Sequence, residues 1–202
     1  LRIKWNRKVM RYILLGSVLV VVIQPLIIYL GYLNSLIPLP EYMSDLQISQ
    51  YQMIEDFLTS DGILLFGLLN IALVPSICEE LLFRGYILRS FEKSWWAVTA
   101  VVVSGIIFGM FHIQLGNLLP LATLGIVLGL MTWLSGALWP AVVAHFINNG
   151  AAVLLGSRFP EIVFREVSAE TLPPIWVLIV SIALTGSIIY AMFNQSSEVK
   201  RH

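Results

Sequence analysis

From Gly62 to Leu88 the chain is apolar apart from Asn70, Ser76, Glu79, Glu80 and Arg84. A continuous run of this kind lacks the period-two alternation of a barrel strand. It is also longer than the about 20 residues a helix needs to cross a bilayer. Comparable runs recur along the chain, which is 58% hydrophobic and 12% charged with a mean hydropathy of +0.85. A soluble domain carries about 25% charged residues. The expected fold is therefore all-α: one polytopic helical membrane domain over residues 1–202, with about six transmembrane helices. The single cysteine, Cys78, excludes an internal disulfide.

Charge and aromatic placement set the expected topology. Arg2, Lys4, Arg7, Lys8 and Arg11 precede a first span over residues 12–33, which Gln24 and Pro25 interrupt and which lacks a small-residue cleavage site, so it reads as an anchor. Residues 34–61 carry Glu41, Asp45, Glu55, Asp56 and Asp61 with no lysine or arginine, and read as an outer loop. The second span opens near Gly62 and leaves the membrane at Arg89, Glu92 and Lys93. Trp95 and Trp96 open a third span that runs to His112. The fourth covers residues 118–134, and Ser135-Gly136 forms a tight cytosolic turn. The fifth runs from Trp139-Pro140 to Leu155. A polar outer loop over residues 156–173 includes Arg158, Arg165 and Glu166, and a sixth span covers residues 174–193 before Lys200-Arg201. Both termini are expected in the cytosol of a cell membrane, with membrane lipids around the bundle and no nucleic-acid partner.

Ionisable residues inside such spans are costly and mark function by default. The polar groups inside the spans are Glu79, Glu80, Arg84, His112, His145, Asn148 and Asn149, with Asn70 and Gln24. Glu80 and Arg84 stand four apart on one helix face, where a charge-assisted pair lowers the cost of burying either. Glu79 projects about 100° away and can face another helix. Phe108 and His112, and His145 and Asn149, are also spaced by four. Pro75, one turn before Glu79, frees the carbonyl of Ile71 and favours a kink. Gly125 and Gly129 permit close helix contact. Phe108, Asn148 and Asn70 read as packing residues.

These residue types point to water activation. A carboxylate in an apolar site becomes a better base, an imidazole beside it can hold the same water, and a second imidazole with an amide can donate to a developing oxyanion. The same Glu79, His112 and His145 could instead hold Zn²⁺ through one carboxylate and two imidazoles. There is no H-E-x-x-H helix, no membrane aspartate pair and no serine or cysteine with an evident paired base. Peptide-bond hydrolysis inside the membrane is the chemistry these residues describe.

Glu79-Glu80-x-x-x-Arg84, Phe108-x-x-x-His112 and His145-x-x-x-Asn149, in this order, resemble the three motifs of the CPBP family. This family comprises the CAAX-type prenyl-protein endopeptidases and bacteriocin-processing enzymes, also called Abi proteins. The resemblance covers about residues 63–155 and implies a four-helix catalytic core. It implies that Glu79 and His112 activate water, that His145 and Asn149 form the oxyanion site, and that Glu80 and Arg84 support Glu79. The expected partner is a membrane-associated or transmembrane peptide or protein substrate, with bacteriocin maturation or self-immunity as one role open to such an enzyme. The favoured mechanism requires no cofactor, since the roles above need no metal, with the zinc-dependent form as the alternative. The competing readings are a non-proteolytic immunity or scaffold protein on the same core, and a small transporter with Glu79 and Glu80 as a proton relay.

One geometric tension is set by helix rise. At 1.5 Å per residue, His145 lies about 10 Å in from Leu138 and His112 about 24 Å in from Trp96. Parallel, untilted helices would keep the two imidazoles apart, so the single-site reading requires them to meet by another arrangement.

Overall fold

The computed structural model describes residues 2–3, 5–165 and 167–199, with side chains as far as residue 196. The charges expected at Lys4, Glu166, Lys200 and Arg201 lie outside the described residues. The architecture is all-α. Helix α1 (Arg7–Val22) is capped by the Asn6 side chain, which accepts from the Val9 N–H at 2.9 Å, and is followed by α2 (Gln24–Ser35). The pair is bent by 46°, at the place where Gln24 and Pro25 interrupt the apolar run. Then come α3 (Glu41–Thr59), α4 (Leu64–Phe91), α5 (Ala97–Phe111), α6 (Leu118–Ser135), α7 (Trp139–Arg158) and α8 (Ile175–Val199).

By length and composition, Leu64–Phe91, Leu115–Ser135 and Ile175–Ser196 can each cross a bilayer, and the bent α1–α2 pair can serve as a fourth span. The chain is thus a helical membrane protein. Of the other two expected spans, α5 is apolar but only 15 residues long. Helix α7 has 20 residues, but its His145, Asn148, Asn149 and Arg158 lower its hydropathy.

The stretch 34–61 differs from the loop expected there. Most of it is α3, a 19-residue helix that packs on α7 and on the Leu115–Asn117 turn. Met43, Tyr51, Ile54 and Leu58 recur at helical spacing and face inward, whereas Tyr42 and Met53 are exposed. The acidic residues and the lack of basic ones drew attention away from this period. Gln47 ties the helix down, its Oε1 accepting from the Gly116 N–H at 3.0 Å.

Residues assigned to one side by charge gather at one end of α6. Arg2 forms a two-pronged bond to Glu92 at 3.0 Å, its carbonyl accepts from the Leu138 N–H at 2.7 Å, and Trp139 donates to the Ile3 carbonyl. At the other end, Asn34 donates to the Leu115 carbonyl at 2.9 Å and accepts from the Leu119 N–H at 2.8 Å. The α6–α7 turn works as expected: Gly136 takes a left-handed φ of 66°, which glycine adopts without a Cβ penalty.

The buried core is built from Leu19, Val20, Ile23, Leu128, Met131, Ala141, Ala144 and Met192, joining α1, α6, α7 and α8. Helices α5 and α6 approach each other closely. A Cβ on Gly105 would stand 2.5 Å from the Ile126 backbone nitrogen, one on Gly109 2.8 Å from that of Ala122, and one on Gly125 2.7 Å from the Gly105 carbonyl oxygen. The small residues therefore let two backbones touch. Gly129 is looser, its nearest neighbour being a Val101 methyl at 3.5 Å. Gly105→Ala is expected to lower stability by about 1–3 kcal/mol, because backbone atoms cannot yield as a side chain can. Gly186→Ala, at a position with nothing within 4 Å, should be neutral. Thermal unfolding of the two detergent-purified variants compares them directly.

Candidate active site

The site is assembled from α4, the end of α5, and α7. Helix α4 is not a regular α-helix. Residues Leu68–Leu73 and Leu81–Ile87 are π-helical and flank the α-helical stretch Val74–Glu80. Such widened turns occur often at functional sites. The wide turn before Pro75 absorbs the proline within a continuous 28-residue helix. The Ile71 carbonyl, which an α-helix would pair with the N–H that Pro75 lacks, instead accepts from Asn149 Nδ2 at 3.1 Å. The proline thus opens a backbone acceptor on the helix face that meets α7.

Glu80 and Arg84 are both fully buried and bonded, Arg84 Nη1 donating to Glu80 Oε1 at 2.9 Å. Arg84 Nη2 donates to the Gly125 carbonyl on α6 at 2.7 Å, and its guanidinium carbon lies 4.5 Å from the centre of the Phe108 ring. The same Glu80 Oε1 accepts from His145 Nδ1 at 2.9 Å. Sequence spacing thus identified the ion pair, but its hydrogen bonds run to His145 and Gly125 rather than to Glu79.

Glu79 faces the other way and is 22% exposed. Its Oε2 is a buried atom without a hydrogen-bond partner among the described residues. That oxygen stands 3.9 Å from His112 Nε2 and 4.0 Å from His145 Nε2. The two imidazoles therefore meet at one carboxylate oxygen, and α5 and α7 do not run parallel from a common plane. The separations are too long for direct hydrogen bonds and suit one water molecule in contact with each pair.

Both imidazoles are oriented from behind. His112 Nδ1 donates to the Phe108 carbonyl at 2.9 Å, which directs Nε2 at Glu79. His112 caps the end of α5, and Ile113 after it takes φ 56°, the only positive value at a non-glycine residue among those described. A β-branched residue there carries strain of about 1–3 kcal/mol, retained where the chain must turn away directly after His112. His145 Nδ1 donates to Glu80, and its Nε2 accepts from Asn149 Nδ2 at 3.2 Å.

The residues singled out by spacing, Glu79, Glu80, Arg84, His112, His145 and Asn149, are thus brought into one cluster. Cys78 points out of it and is exposed. Phe108 and Asn148 do more than pack. The Phe108 ring lies 4.9 Å from that of His112 and 5.7 Å from that of His145, and so walls the site. Asn148 Nδ2 donates to Asn149 Oδ1 at 3.1 Å, and its own Oδ1 accepts from Gln24 Nε2 at 3.1 Å. The hint in sequence was a second polar residue beside Asn149 in an apolar span. Asn70 is exposed and, among the described residues, bonds to its own helix, at the Phe66 carbonyl.

The donor set of one carboxylate and two imidazoles is chemically suited to zinc. As placed, Glu79 Oε2 stands farther from each imidazole nitrogen than ligand atoms on one zinc do. Ligand atoms on a tetrahedral zinc stand about 3.4 Å apart, against 3.9 and 4.0 Å here. The His145 Nε2 lone pair is also engaged by Asn149. Among the described residues, no group of three His, Cys, Asp or Glu is arranged to hold a metal.

Breaking the buried pair from one side strands a charge. Arg84→Met should cost about 3–5 kcal/mol of stability. Adding Glu80→Gln, which removes the orphaned charge while leaving an acceptor for His145, should recover part of that loss. Denaturant unfolding of the two variants tests both statements.

No curated protein and no solved structure matches the chain. Residues 61–151 match the family described as Type II CAAX prenyl endopeptidase Rce1-like. The match spans all three motifs and every residue of the cluster, and it supports an intramembrane endopeptidase in general terms. Over residues 61–151 the chain is thus similar to the Rce1-like family of type II CAAX prenyl endopeptidases, consistent with the resemblance carried by its motifs.

Proposed function

We propose that the chain is an intramembrane endopeptidase that cleaves a membrane-associated peptide with a water activated by Glu79 and His112. The observation that carries this reading is the convergence of His112 Nε2 and His145 Nε2 on the unpartnered Glu79 Oε2, at 3.9 and 4.0 Å. Water held between Glu79 and His112 loses a proton to the Glu79 carboxylate as its oxygen attacks the scissile carbonyl carbon. The carbonyl π electrons move to oxygen. When the tetrahedral intermediate collapses, the C–N bond breaks and protonated Glu79 returns the proton to the leaving amine nitrogen. The cycle regenerates the carboxylate.

His145 and Asn149 are assigned to the oxyanion, and the geometry adds a condition. In the arrangement described, His145 Nε2 is an acceptor and both Asn149 amide hydrogens are engaged, by Ile71 and by His145. An oxyanion needs a proton on His145 Nε2. Placing one there ends the bond from Asn149 and frees an amide N–H. One protonation therefore supplies two donors. Glu80, bonded to Nδ1 at 2.9 Å, would stabilise the resulting imidazolium.

The favoured mechanism needs no metal. The enzyme would act in the cell membrane with both termini cytosolic, on CAAX-like lipid-anchored substrates or in bacteriocin maturation or self-immunity. Glu79→Gln should leave the fold intact and lower turnover by about 100-fold or more. Proteomics of membranes from cells carrying either form should find cleaved termini with the parent chain that are missing with the variant. Termini produced equally by both would reject the proposal in favour of a scaffold or immunity protein. Turnover by purified enzyme should also survive prolonged chelation and dialysis; loss restored by added Zn²⁺ would select the zinc-dependent form.

A further inference from the structure

We infer that Gln24, in the N-terminal helix pair and outside the family-matched segment, is a positioning residue that fixes the tautomer of His145 through Asn148 and Asn149. The inference deepens the endopeptidase reading and rests on it for the role of His145.

The direction of every bond in this chain is set from its ends. Gln24 Nε2 lies 2.7 Å from the Val20 carbonyl, which can only accept, so the amide nitrogen is on that side. The same nitrogen donates to Asn148 Oδ1 at 3.1 Å. Asn148 must then present its Nδ2 to Asn149, and that atom stands 3.1 Å from Asn149 Oδ1. At the far end Asn149 Nδ2 faces the Ile71 carbonyl at 3.1 Å, again an acceptor only. Its second hydrogen goes to His145 Nε2 at 3.2 Å, which makes that nitrogen the unprotonated one. The ring proton is on Nδ1, donating to Glu80 Oε1 at 2.9 Å. Asn148 and Asn149 each give on one side and take on the other, whereas Gln24 gives through one nitrogen to both the Val20 carbonyl and Asn148. The reverse tautomer would set the Asn149 N–H against an N–H, and the Glu80 oxygen against a lone pair.

Both ends of the chain of bonds lie at helix interruptions. Gln24 opens α2 at the 46° bend. Ile71 is the carbonyl freed by Pro75. The break in the first apolar run is thereby tied to the break in α4, with His145 between them and Glu80. Charged groups facing the imidazole are Glu79 and Glu80, with Arg84 behind Glu80.

Gln24→Glu tests the inference because it keeps the size of the side chain and replaces the amide donor by an acceptor. The probe is the full chain in detergent with ¹⁵N-labelled histidine, the His145 signals being assigned by their loss in His145→Asn. In the parent chain neutral His145 should give a pyrrole-type Nδ1 and a pyridine-type Nε2. In Gln24→Glu the pyridine-type Nε2 signal should weaken in favour of a protonated Nε2, because the chain of amides no longer delivers an N–H to that nitrogen. Asn148→Leu should shift the His145 signals in the same sense. His145 signals that stay unchanged in both variants overturn the inference while leaving the protease reading intact. Cleavage retained in Glu79→Gln overturns the protease reading while leaving the tautomer result intact.

Discussion

The arrangement depends on one buried carboxylate oxygen. Glu80 Oε1 accepts from Arg84 and from His145, each at 2.9 Å. A carboxylate with no exposed surface would be prohibitive alone, and a guanidinium beside it removes most of that cost only if the guanidinium is itself satisfied. Arg84 meets part of that demand with its bond to the Gly125 carbonyl and its contact with the Phe108 ring, while its Nε has no hydrogen-bond partner among the described residues. Three helices are thereby fastened at one place: α4 through both members of the pair, α6 through a backbone oxygen, and α7 through His145. The ring of Phe108 brings α5 to the same place.

The bond to Gly125 explains why the helix contact behind it is so tight. A side chain on Gly125 would collide with the Gly105 carbonyl and approach Phe108. Glycine therefore serves two ends here. It lets α5 and α6 touch, and it leaves a carbonyl open to the arginine. In lipid, where no hydrophobic force draws helices together, such packing together with interhelical hydrogen bonds has to hold the bundle. The site is built from the same contacts.

Much of this was legible in spacing. Intervals of four residues in apolar surroundings identified Glu80–Arg84, Phe108–His112 and His145–Asn149, and Pro75 identified Ile71 as a carbonyl in search of a donor. Spacing along a helix gives the face of a residue but not its height against a neighbour. Helix rise alone therefore left His112 and His145 far apart, whereas they meet at Glu79. The helix α3 was hidden for a different reason: its inward stripe of Met43, Tyr51, Ile54 and Leu58 is diluted by polar residues on a partly exposed surface. Gln24 and Asn148 were visible as polar residues in apolar spans, but their pairing across 124 positions is a property of the fold.

The two adjacent glutamates show how the fold divides chemistry between identical side chains. One step along α4 turns Glu80 into the bundle and Glu79 toward the opening. Glu80 has no exposed surface, and its Oε1 is committed to two cationic or N–H donors. Neutralising it would remove the charge that balances Arg84. Glu79 carries no such load, and its Oε2 has only the two Nε2 atoms nearby. The separation of a buried, doubly bonded carboxylate oxygen from one that faces two imidazoles unbonded thus follows from the 100° turn between consecutive residues of a helix. It explains why the chain bears the cost of two acids side by side within an apolar segment.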